Sequence, residues 1–489
     1  MSKKLMEKIY KKSGIDVKSL KKERDKYLDW SELEEVANIV IENVIIKEDV
    51  KVGILYDVDV DGLFSGYILE DYFERNQIEV KRYMNKNKQH GLNKENLKKF
   101  ILDKLDWVFV VDAGSGDGKY INFLNKKGIN VVVLDHHPYE QTVKLNDEKS
   151  WILNVTDKPE LPRLSGCGVV YRFIEKMAES LGDIVGQYEK FVGITVLSDM
   201  CDMSVPENRY YVKRAYEEYR GNRFLQQFRF YGSGRSFYSF GVIPYLNACI
   251  RVGEERHAME MINNMNNAAK MNKLERDRNR VITKQRKMVD EILEKSKLYK
   301  LGDVVLLLRR DNEDTLRTVG GLVANQLLGK YQKPVLVLNR TGDVWKGSLR
   351  SNTFKKSDLK ECGFDAQGHD YACGIEVLNE DLVSFMKNFK YTGEKLKTKV
   401  TFTVPLGKLP DKVWEDLAMF NEFAGTNMPS IKVRLKETIE DARHIDEVSN
   451  KKNDIVFKEA VITDFTRKEE SEIIVEPILS KNSYQLIRV

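Results

Sequence analysis

The stretch Lys51-Val-Gly-Ile-Leu-Tyr-Asp-Val-Asp-Val-Asp-Gly62 decides the fold of this 489-residue chain. An apolar run ends at Tyr56 and passes directly into three alternating aspartates and a glycine. Continuous apolar runs of this length, alternating with helical stretches, indicate strands that are buried on both faces of a mostly parallel sheet. The sequence therefore predicts an α/β domain from about residue 46.

Two later apolar runs also end in acidic residues. Trp107-Val-Phe-Val-Val111 leads into Asp112-Ala-Gly114, and Val131-Val-Val-Leu134 leads into Asp135-His136-His137; Trp151 to Val155 is a further strand candidate. Because the carboxyl ends of parallel strands border one crevice, we expect these acids to converge. Converging carboxylates repel one another unless cations neutralise them, and carboxylates with imidazoles form a ligand set that suits Mn²⁺ or Mg²⁺.

Two alternatives weaken this interpretation when each motif is taken alone. The alternating aspartates resemble the start of an EF-hand loop, but the twelfth position holds Ile68 instead of an acid, which argues against calcium. The two adjacent histidines are ordinary surface or core residues in the alternative interpretation. Their position directly after a strand-terminal aspartate, in a chain with six histidines, favours a metal or catalytic role.

Composition restricts the class of protein further. Apolar residues make up 42% and charged residues 32% of the chain, which is typical of a folded protein and excludes global disorder. The net charge of +5 is small beside 80 basic and 75 acidic side chains, so any nucleic-acid affinity must come from local patches. The five cysteines are scattered and include no C-x-x-C pair, so neither a disulfide framework nor a thiolate zinc site is predicted. The start lacks a secretory signal and no apolar run is long enough to span a bilayer, so we expect a cytoplasmic protein without a membrane partner.

The spacing of apolar residues divides the rest of the chain into further segments. Residues 1–45 carry apolar residues at helical spacing, and residues 255–299 predict a long connecting helix with a basic exterior. A second α/β pattern begins at Asp303-Val-Val-Leu-Leu-Leu308, and alternating strands dominate from about residue 395.

Together the motifs resemble the DHH phosphoesterase superfamily and, within it, the RecJ-like exonucleases. The matching stretches occur in the family's order: Asp57-Val-Asp-Val-Asp61-Gly62, His90-Gly91-Leu92-Asn93, Val111-Asp112-Ala-Gly114, Asp135-His136-His137, Leu197-Ser-Asp199, Pro244-Tyr-Leu-Asn247-Ala-Cys-Ile-Arg251, Lys346-Gly-Ser348-Leu-Arg350-Ser351 and Gly368-His369. Tyr245, Cys249, Ile250 and Gln367 depart from the usual family residues.

The sequence pattern and the resemblance together divide the chain into five segments. They are an N-terminal helical segment at 1–45, a DHH phosphoesterase domain at 46–254, a connecting helix at 255–299, a DHH-associated substrate-binding domain at 300–394 and a β-rich, OB-like domain at 395–489.

The resemblance also implies roles for individual residues. The expected ligands of two Mn²⁺ or Mg²⁺ ions are Asp57, Asp59, Asp61, Asp112, His136 and Asp199. His137 is expected to face the scissile phosphate, and Asp135 either orients an imidazole or is only a structural acid at the strand end. The expected substrate contacts are Asn247, Arg251, Arg317, Ser348, Arg350, Gly368 and His369.

The implied activity is metal-dependent hydrolysis of single-stranded DNA by an exonuclease, in the 5′ to 3′ direction and by a two-metal mechanism. A monomer is expected, with a single-strand-binding protein or a helicase as a candidate protein partner. One alternative is a nanoRNase or a phosphodiesterase of cyclic or linear dinucleotides. An alternative from another class is an inactive RecJ-like scaffold that binds DNA in a replication complex.

Overall fold

The computed structural model describes most of the chain. The described residues are 7–11, 29–85, 90–146, 148–156, 158–221, 234–263, 271–310, 315–388, 402–404, 411–436, 455–457, 460–463, 472–479 and 484–488. Within them, no helix is both long and apolar enough to cross a membrane.

A five-stranded parallel sheet forms the centre of the first unit. Its strands are β1 (Val52–Tyr56), β2 (Val80–Met84), β3 (Trp107–Val111), β4 (Asn130–Asp135) and β5 (Ser150–Asn154). They lie in the order β2-β1-β3-β4-β5 and all neighbouring pairs are parallel. β2, the next strand in the chain, lies on one side of β1, whereas β3 lies on the other side of β1. This change of direction opens a crevice beyond the carboxyl ends of β1 and β3.

The four apolar strands that the sequence predicted are confirmed, whereas β2 was missed. Every residue of β1 and β3 is buried, which explains their continuous apolar runs. In β2, Val-Lys-Arg-Tyr-Met at the edge of the sheet, only Tyr83 is fully buried. An edge strand keeps polar residues facing solvent, and therefore gives no continuous apolar signal.

Helices cover both faces of this sheet. In chain order they are α1 (Ser31–Val40), α2 (Val60–Arg75), α3 (Lys94–Leu102), α4 (Gly118–Lys126), α5 (Gly166–Leu181), α6 (Glu189–Ser198), α7 (Pro206–Gly221), α8 (Gly234–Phe237), α9 (Ile243–Arg251) and α10 (Glu255–Asn263). The predicted N-terminal helical segment contributes α1, whose Leu33, Val36 and Val40 are buried against the core. Ser165 begins α5 by accepting a hydrogen bond from Gly168 N, and Gly182 ends it in the left-handed conformation.

A second six-stranded sheet begins after the connecting segment. It comprises β6 (Lys297–Leu301), β7 (Val304–Arg309), β8 (Val335–Thr341), β9 (Val344–Arg350), β10 (Asp365–His369) and β11 (Ala372–Leu378) in the order β10-β11-β9-β8-β7-β6. The helices of this unit are α12 (Thr315–Tyr331), α13 (Lys356–Glu361) and α14 (Asn379–Asn388). These strands and helices form the second α/β pattern that the sequence predicted from Asp303.

The segment 255–299 contains two helices instead of one. After α10, α11 (Met271–Lys295) runs on towards the second sheet, and β6 begins within the last residues of the predicted range. Val281 of α11 lies in the core of the first unit, while Val289 and Ile292 pack in a core with α12. One apolar face of α11 therefore joins the two units.

The C-terminal unit is β-rich, as predicted. It contains α15 (Asp411–Asn421) and strands β12 (Phe402–Val404), β13 (Val433–Lys436), β14 (Ile455–Phe457), β15 (Ala460–Thr463), β16 (Glu472–Leu479) and β17 (Tyr484–Arg488). The strand order is β12-β13-β16-β17-β15-β14. Val413, Leu417 and Val433 share one apolar cluster with the first unit, so this unit packs against the first unit.

Candidate metal centre

Three neighbouring strands deliver acids to one edge of the first sheet. Asp57 follows β1, Asp112 follows β3 and Asp135 ends β4. Since these strands are adjacent in the sheet, their terminal carboxylates meet at the crevice. The predicted convergence is confirmed.

The start of α2 adds two more carboxylates. Asp59 is the N-cap, and its Oδ1 accepts a hydrogen bond of 2.9 Å from Gly62 N. Asp61, in the first turn, accepts hydrogen bonds from Gly166 N at 2.7 Å and Cys167 N at 2.8 Å, the first amides of α5. The helix N-terminus thereby fixes and stabilises the Asp61 carboxylate.

Two glycines allow the backbone to come this close. A Cβ on Gly62 would lie 2.5 Å from the Asp57 carbonyl oxygen, and one on Gly166 would collide with the Asp112 carboxylate. Asp112 itself has a φ of +59°, a strained conformation for a residue with a side chain. Strain of this kind persists where the surrounding contacts hold a functional group in place.

The imidazole of His136 lies close to carboxylates from three segments of the chain. Its Nε2 lies 3.1 Å from Asp112 Oδ1, 3.2 Å from Asp199 Oδ2 and 3.7 Å from Asp61 Oδ2. Asp199 follows α6, so a fourth segment of the chain reaches the crevice.

His137 is held differently. Its Nδ1 lies 2.9 Å from Asp135 Oδ1, and Asp135 also accepts the backbone amides of His136 and His137. The His137 carbonyl accepts a hydrogen bond of 2.9 Å from Asn154 Nδ2. Asp135 therefore orients the imidazole of His137 and not that of His136. The His137 side chain is nearly half exposed, at 47%, and borders the crevice.

His90 belongs to this cluster although the sequence interpretation did not count it among the site residues. Its Nδ1 lies 2.8 Å from Asp57 Oδ2, and its ring centroid is 6.3 Å from that of His137. The signal was the short motif His90-Gly91-Leu92-Asn93, in which Gly91 has a φ of +64° and turns the chain towards the acids.

The ionisation of the acids is strongly perturbed. Burial, with the charges of Asp57 and Asp199, raises the pKa of Asp59 to about 6. Burial, with the charge of Asp199, raises the pKa of Asp61 to about 7. Burial and the charges of Asp61 and Asp59 also raise the pKa of Asp112 well above its usual range. These acids cannot all be ionised at once unless a bound cation offsets their negative charges.

The unpaired atoms fit a divalent metal. Among the described residues, Asp57 Oδ1 and Asp112 Oδ2 are buried without any hydrogen-bond partner. Buried carboxylate oxygens rarely lack partners in folded proteins, and a metal ion satisfies them. Three groups of potential ligands have their donor atoms within 4.8 Å of one another: Asp57, Asp59 and Asp112; Asp61, His136 and Asp199; Asp112, His136 and His137. Oxygen and imidazole donors of this kind suit Mn²⁺ or Mg²⁺.

A metal that binds the ionised site should stabilise the protein most at high pH. The folded pKa values of Asp59 and Asp61 lie above their unfolded values, so stability contributed by the protonated acids is lost as the pH rises towards 7. We expect Mn²⁺ to raise the melting temperature more at about pH 8 than at about pH 5.5, because bound metal replaces the protons. Thermal unfolding in MnCl₂ and in EDTA at both pH values measures this. The shift in Glu254→Gln, which alters an acid outside the cluster, should match wild type; an equal shift at both pH values would contradict the expectation.

Four of the predicted substrate residues lie on two elements, α9 and β9. Asn247 and Arg251 are one turn apart on α9, and Ser348 and Arg350 share one face of β9. Arg251 and Arg350 are close enough for burial and their mutual repulsion to lower the pKa of Arg251 to about 10. Arg251 NH1 also donates to Gln285 Oε1 at 3.3 Å.

The remaining predicted contacts lie in the same second sheet or beside it. Gly368 in β10 has a φ of +116°, which favours glycine, and its carbonyl accepts a hydrogen bond of 2.7 Å from Lys356 Nζ. Arg317 lies in α12 and His369 ends β10, but their side chains are outside the described parts of the structure. Their roles stay predictions.

Comparisons with known proteins agree with this architecture. Residues 51–194 match the profile of the DHH family, N-terminal domain. Over 512 aligned residues the chain is 23% identical to YorK of Bacillus subtilis (strain 168), described as a candidate SPbeta prophage-derived single-strand DNA-specific exonuclease; the match covers 95% of this chain and 87% of that protein. RecJ from Thermus thermophilus, solved with Mn²⁺, superposes with a TM-score of 0.73 at 18% identity, covering 98% of this chain and 74% of that one. A manganese-bound exonuclease RecJ gives a TM-score of 0.57 at 20% identity, covering 74% and 94% of the two chains.

Proposed function

We propose that this chain is a RecJ-like member of the DHH superfamily and a metal-dependent exonuclease that degrades single-stranded DNA in the 5′ to 3′ direction. The observation that carries the proposal is the meeting of six expected metal ligands from separate segments around unpaired buried carboxylate oxygens. The name of YorK supports single-stranded DNA as the substrate, and the name of the manganese-bound RecJ supports an exonuclease activity.

The proposal assigns two divalent ions to the cluster. One would be held by Asp57, Asp59 and Asp112, and the other by Asp61, His136 and Asp199. Bound there, the ions would activate a water and neutralise charge on the scissile phosphate. Asp112 belongs to the first of these groups, and its Oδ1 lies 3.1 Å from His136 Nε2 in the second, so its carboxylate would link the two groups.

His137 is proposed to contact the scissile phosphate. Asp135 occupies its Nδ1, which leaves Nε2 for the crevice. Burial would lower the pKa of His137, but the Asp135 hydrogen bond outweighs this and raises it. The protonated ring can donate a charge-assisted hydrogen bond to a phosphate oxygen.

Arg251 and Arg350 are proposed to bind the terminal 5′-phosphate. Among the described residues neither forms a salt bridge with a carboxylate, although both are partly buried and the charge of Arg350 repels that of Arg251. Two adjacent guanidinium groups without an acidic partner are stabilised by a bound anion, and a terminal phosphate offers the charge and the acceptor oxygens. Holding the 5′ end would set the polarity of digestion.

Digestion of single strands carrying a label at either end tests this proposal. We expect the 5′ label to be released first, and we expect a 5′-phosphorylated strand to be cut at lower concentration than a 5′-hydroxyl strand. Release of the 3′ label first would overturn the polarity. Turnover of dinucleotides with no cleavage of long strands would favour the small-substrate phosphodiesterase instead.

Gly321→Ala tests the arginine site without removing a charge. A Cβ at Gly321 in α12 would lie 2.6 Å from Arg350 NH2, so the guanidinium must move. Alanine is favoured over glycine in a helix by about 0.8–1 kcal/mol, so stability should be retained. We expect a several-fold higher KM for the 5′-phosphorylated strand with kcat preserved. Gly329→Ala in the same helix meets nothing within 4 Å and is the matched control; equal behaviour of the two variants would remove Arg350 from the substrate site.

A further inference from the structure

A turn of the C-terminal unit, Gly425–Met428, lies against the loop that follows Asp199. An isolated parallel β-bridge joins Asp202 of the loop to Thr426 of the turn, which lie more than two hundred residues apart in sequence. We propose that this turn is a positioning element of the metal centre, which holds the Asp199 carboxylate at the position its ligand role requires. The inference rests on the proposed function, because it concerns the metal ligands assigned there.

The loop after Asp199 begins at the C-terminal end of α6. Asp199 is the C-cap of α6, where the regular hydrogen bonds of the helix stop. The next residue, Met200, has a φ of +52° and is 70% exposed. Cys201 N donates to the Val196 carbonyl at 3.0 Å, a bond that closes helix ends around a left-handed residue, and contacts from the C-terminal unit fix the rest of the loop.

The turn supplies those contacts at three successive points. Thr426 Oγ1 donates to the Met200 carbonyl at 2.6 Å, and Met203 N donates to the Thr426 carbonyl at 2.9 Å. Asn427 Nδ2 donates to Asp202 Oδ2 at 2.8 Å. Together these bonds fix the loop from Met200 to Met203.

The first unit holds the same loop from its other side. Asn208 Nδ2 donates to the Asp202 carbonyl at 3.0 Å, and Arg209 NH1 donates to the Met203 carbonyl at 2.7 Å. Both residues lie on α7. The loop is therefore clamped between a helix of its own unit and the turn of the C-terminal unit.

The turn is rigid enough to act as a clamp. Asn421 is 1% exposed; it exchanges hydrogen bonds with the backbone of Ile431 and donates to the Pro477 carbonyl at 2.9 Å, which fixes the end of α15 to the C-terminal strands. The Glu422 carbonyl accepts a buried hydrogen bond of 2.9 Å from Tyr216 OH. A Cβ on Gly425 would lie 2.8 Å from Met203 Cγ, so the turn and the loop are in close contact.

Thr426→Val and Thr426→Ser form the decisive pair of variants. Valine keeps the shape and loses the hydrogen bond to Met200, whereas serine keeps the hydroxyl. Outer contacts that orient metal ligands commonly change metal affinity by about 10–100-fold, so we expect Thr426→Val to bind Mn²⁺ about tenfold more weakly. Thr426→Ser should bind as wild type does. Titration of the full-length protein with Mn²⁺, followed by the electron paramagnetic resonance of the free ion, measures binding without relying on activity.

The outcomes separate the clamp from the proposed function. Wild-type affinity in Thr426→Val, or equal weakening in both variants, would overturn the clamp. Absence of Mn²⁺ binding by the wild-type protein would overturn the metal centre itself. Asn427→Gly gives an independent check, since glycine tolerates the φ of +56° while removing the bond to Asp202, and it should also weaken binding. Thr341→Val alters an exposed threonine in β8 and should leave Mn²⁺ binding unchanged.

Discussion

Replacing Asp112 with asparagine is expected to abolish Mn²⁺ binding and hydrolysis together. Asp112 lies in two of the three ligand groups, and its Oδ2 is buried with no hydrogen-bond partner among the described residues. An amide has no charge to offer a divalent ion and offers one oxygen where the carboxylate has two. Loss of several kcal/mol of metal-dependent stabilisation corresponds to a fall in kcat of about 10³-fold or more.

Asparagine is a better test than alanine at this position. The φ of +59° is tolerated by asparagine, whereas alanine would add roughly 1–2 kcal/mol of backbone strain and could reduce activity by unfolding the site. Removing one buried charge from the cluster should leave the metal-free protein as stable as wild type or more so. Mn²⁺ titration, steady-state hydrolysis and thermal unfolding separate these effects.

Asp117→Asn is the matched control for this substitution. Asp117 follows the same strand and burial raises its pKa to about 6, but it lies outside the three ligand groups. Its Oδ2 accepts a hydrogen bond of 2.7 Å from Leu92 N, which an asparagine oxygen can also accept. Near wild-type hydrolysis by Asp112→Asn would place the metal elsewhere, while equal losses in both variants would indicate a general disturbance of the loop.

The metal cluster could be predicted because its residues follow a rule of sheet topology. The sequence identified β1, β3 and β4 from their apolar runs, and parallel strands necessarily bring their terminal acids to one edge. Strand topology does not fix the positions of Asp61 and Asp199, because Asp61 lies in a helix and Asp199 follows one. Asp199 entered the set only by resemblance, and the hydrogen bonds from Gly166 N and Cys167 N to Asp61 could not be predicted from spacing.

Other parts of the site depend on contacts that leave no local pattern. His90 reaches Asp57 from a loop that follows an edge strand, and this strand has no apolar periodicity. The contact between Thr426 and Met200 joins two loops from different units. Long-range pairs between loops carry no periodic signal in a single sequence, so only the folded structure reveals them.

His137→Gln is expected to separate catalysis from metal binding. The side chain is 47% exposed, and Asp135 holds its Nδ1 at 2.9 Å, so loss of the ring leaves the carboxylates around His136 in place. Glutamine preserves hydrogen-bonding capacity but cannot carry the positive charge proposed to face the phosphate. Removing such a preorganised donor lowers kcat by roughly 10²–10³-fold.

Mn²⁺ affinity should stay within about threefold of wild type in this variant, because the third ligand group would lose only His137 while Asp112 and His136 keep their partners. Asp135→Asn should lower kcat by a smaller factor, since the ring remains and only its orientation and pKa change. Loss of Mn²⁺ binding in His137→Gln would instead make the imidazole a ligand of the metal. Kinetics with saturating Mn²⁺, compared with direct Mn²⁺ titration, therefore decides whether this side chain acts on the phosphate or on the ion.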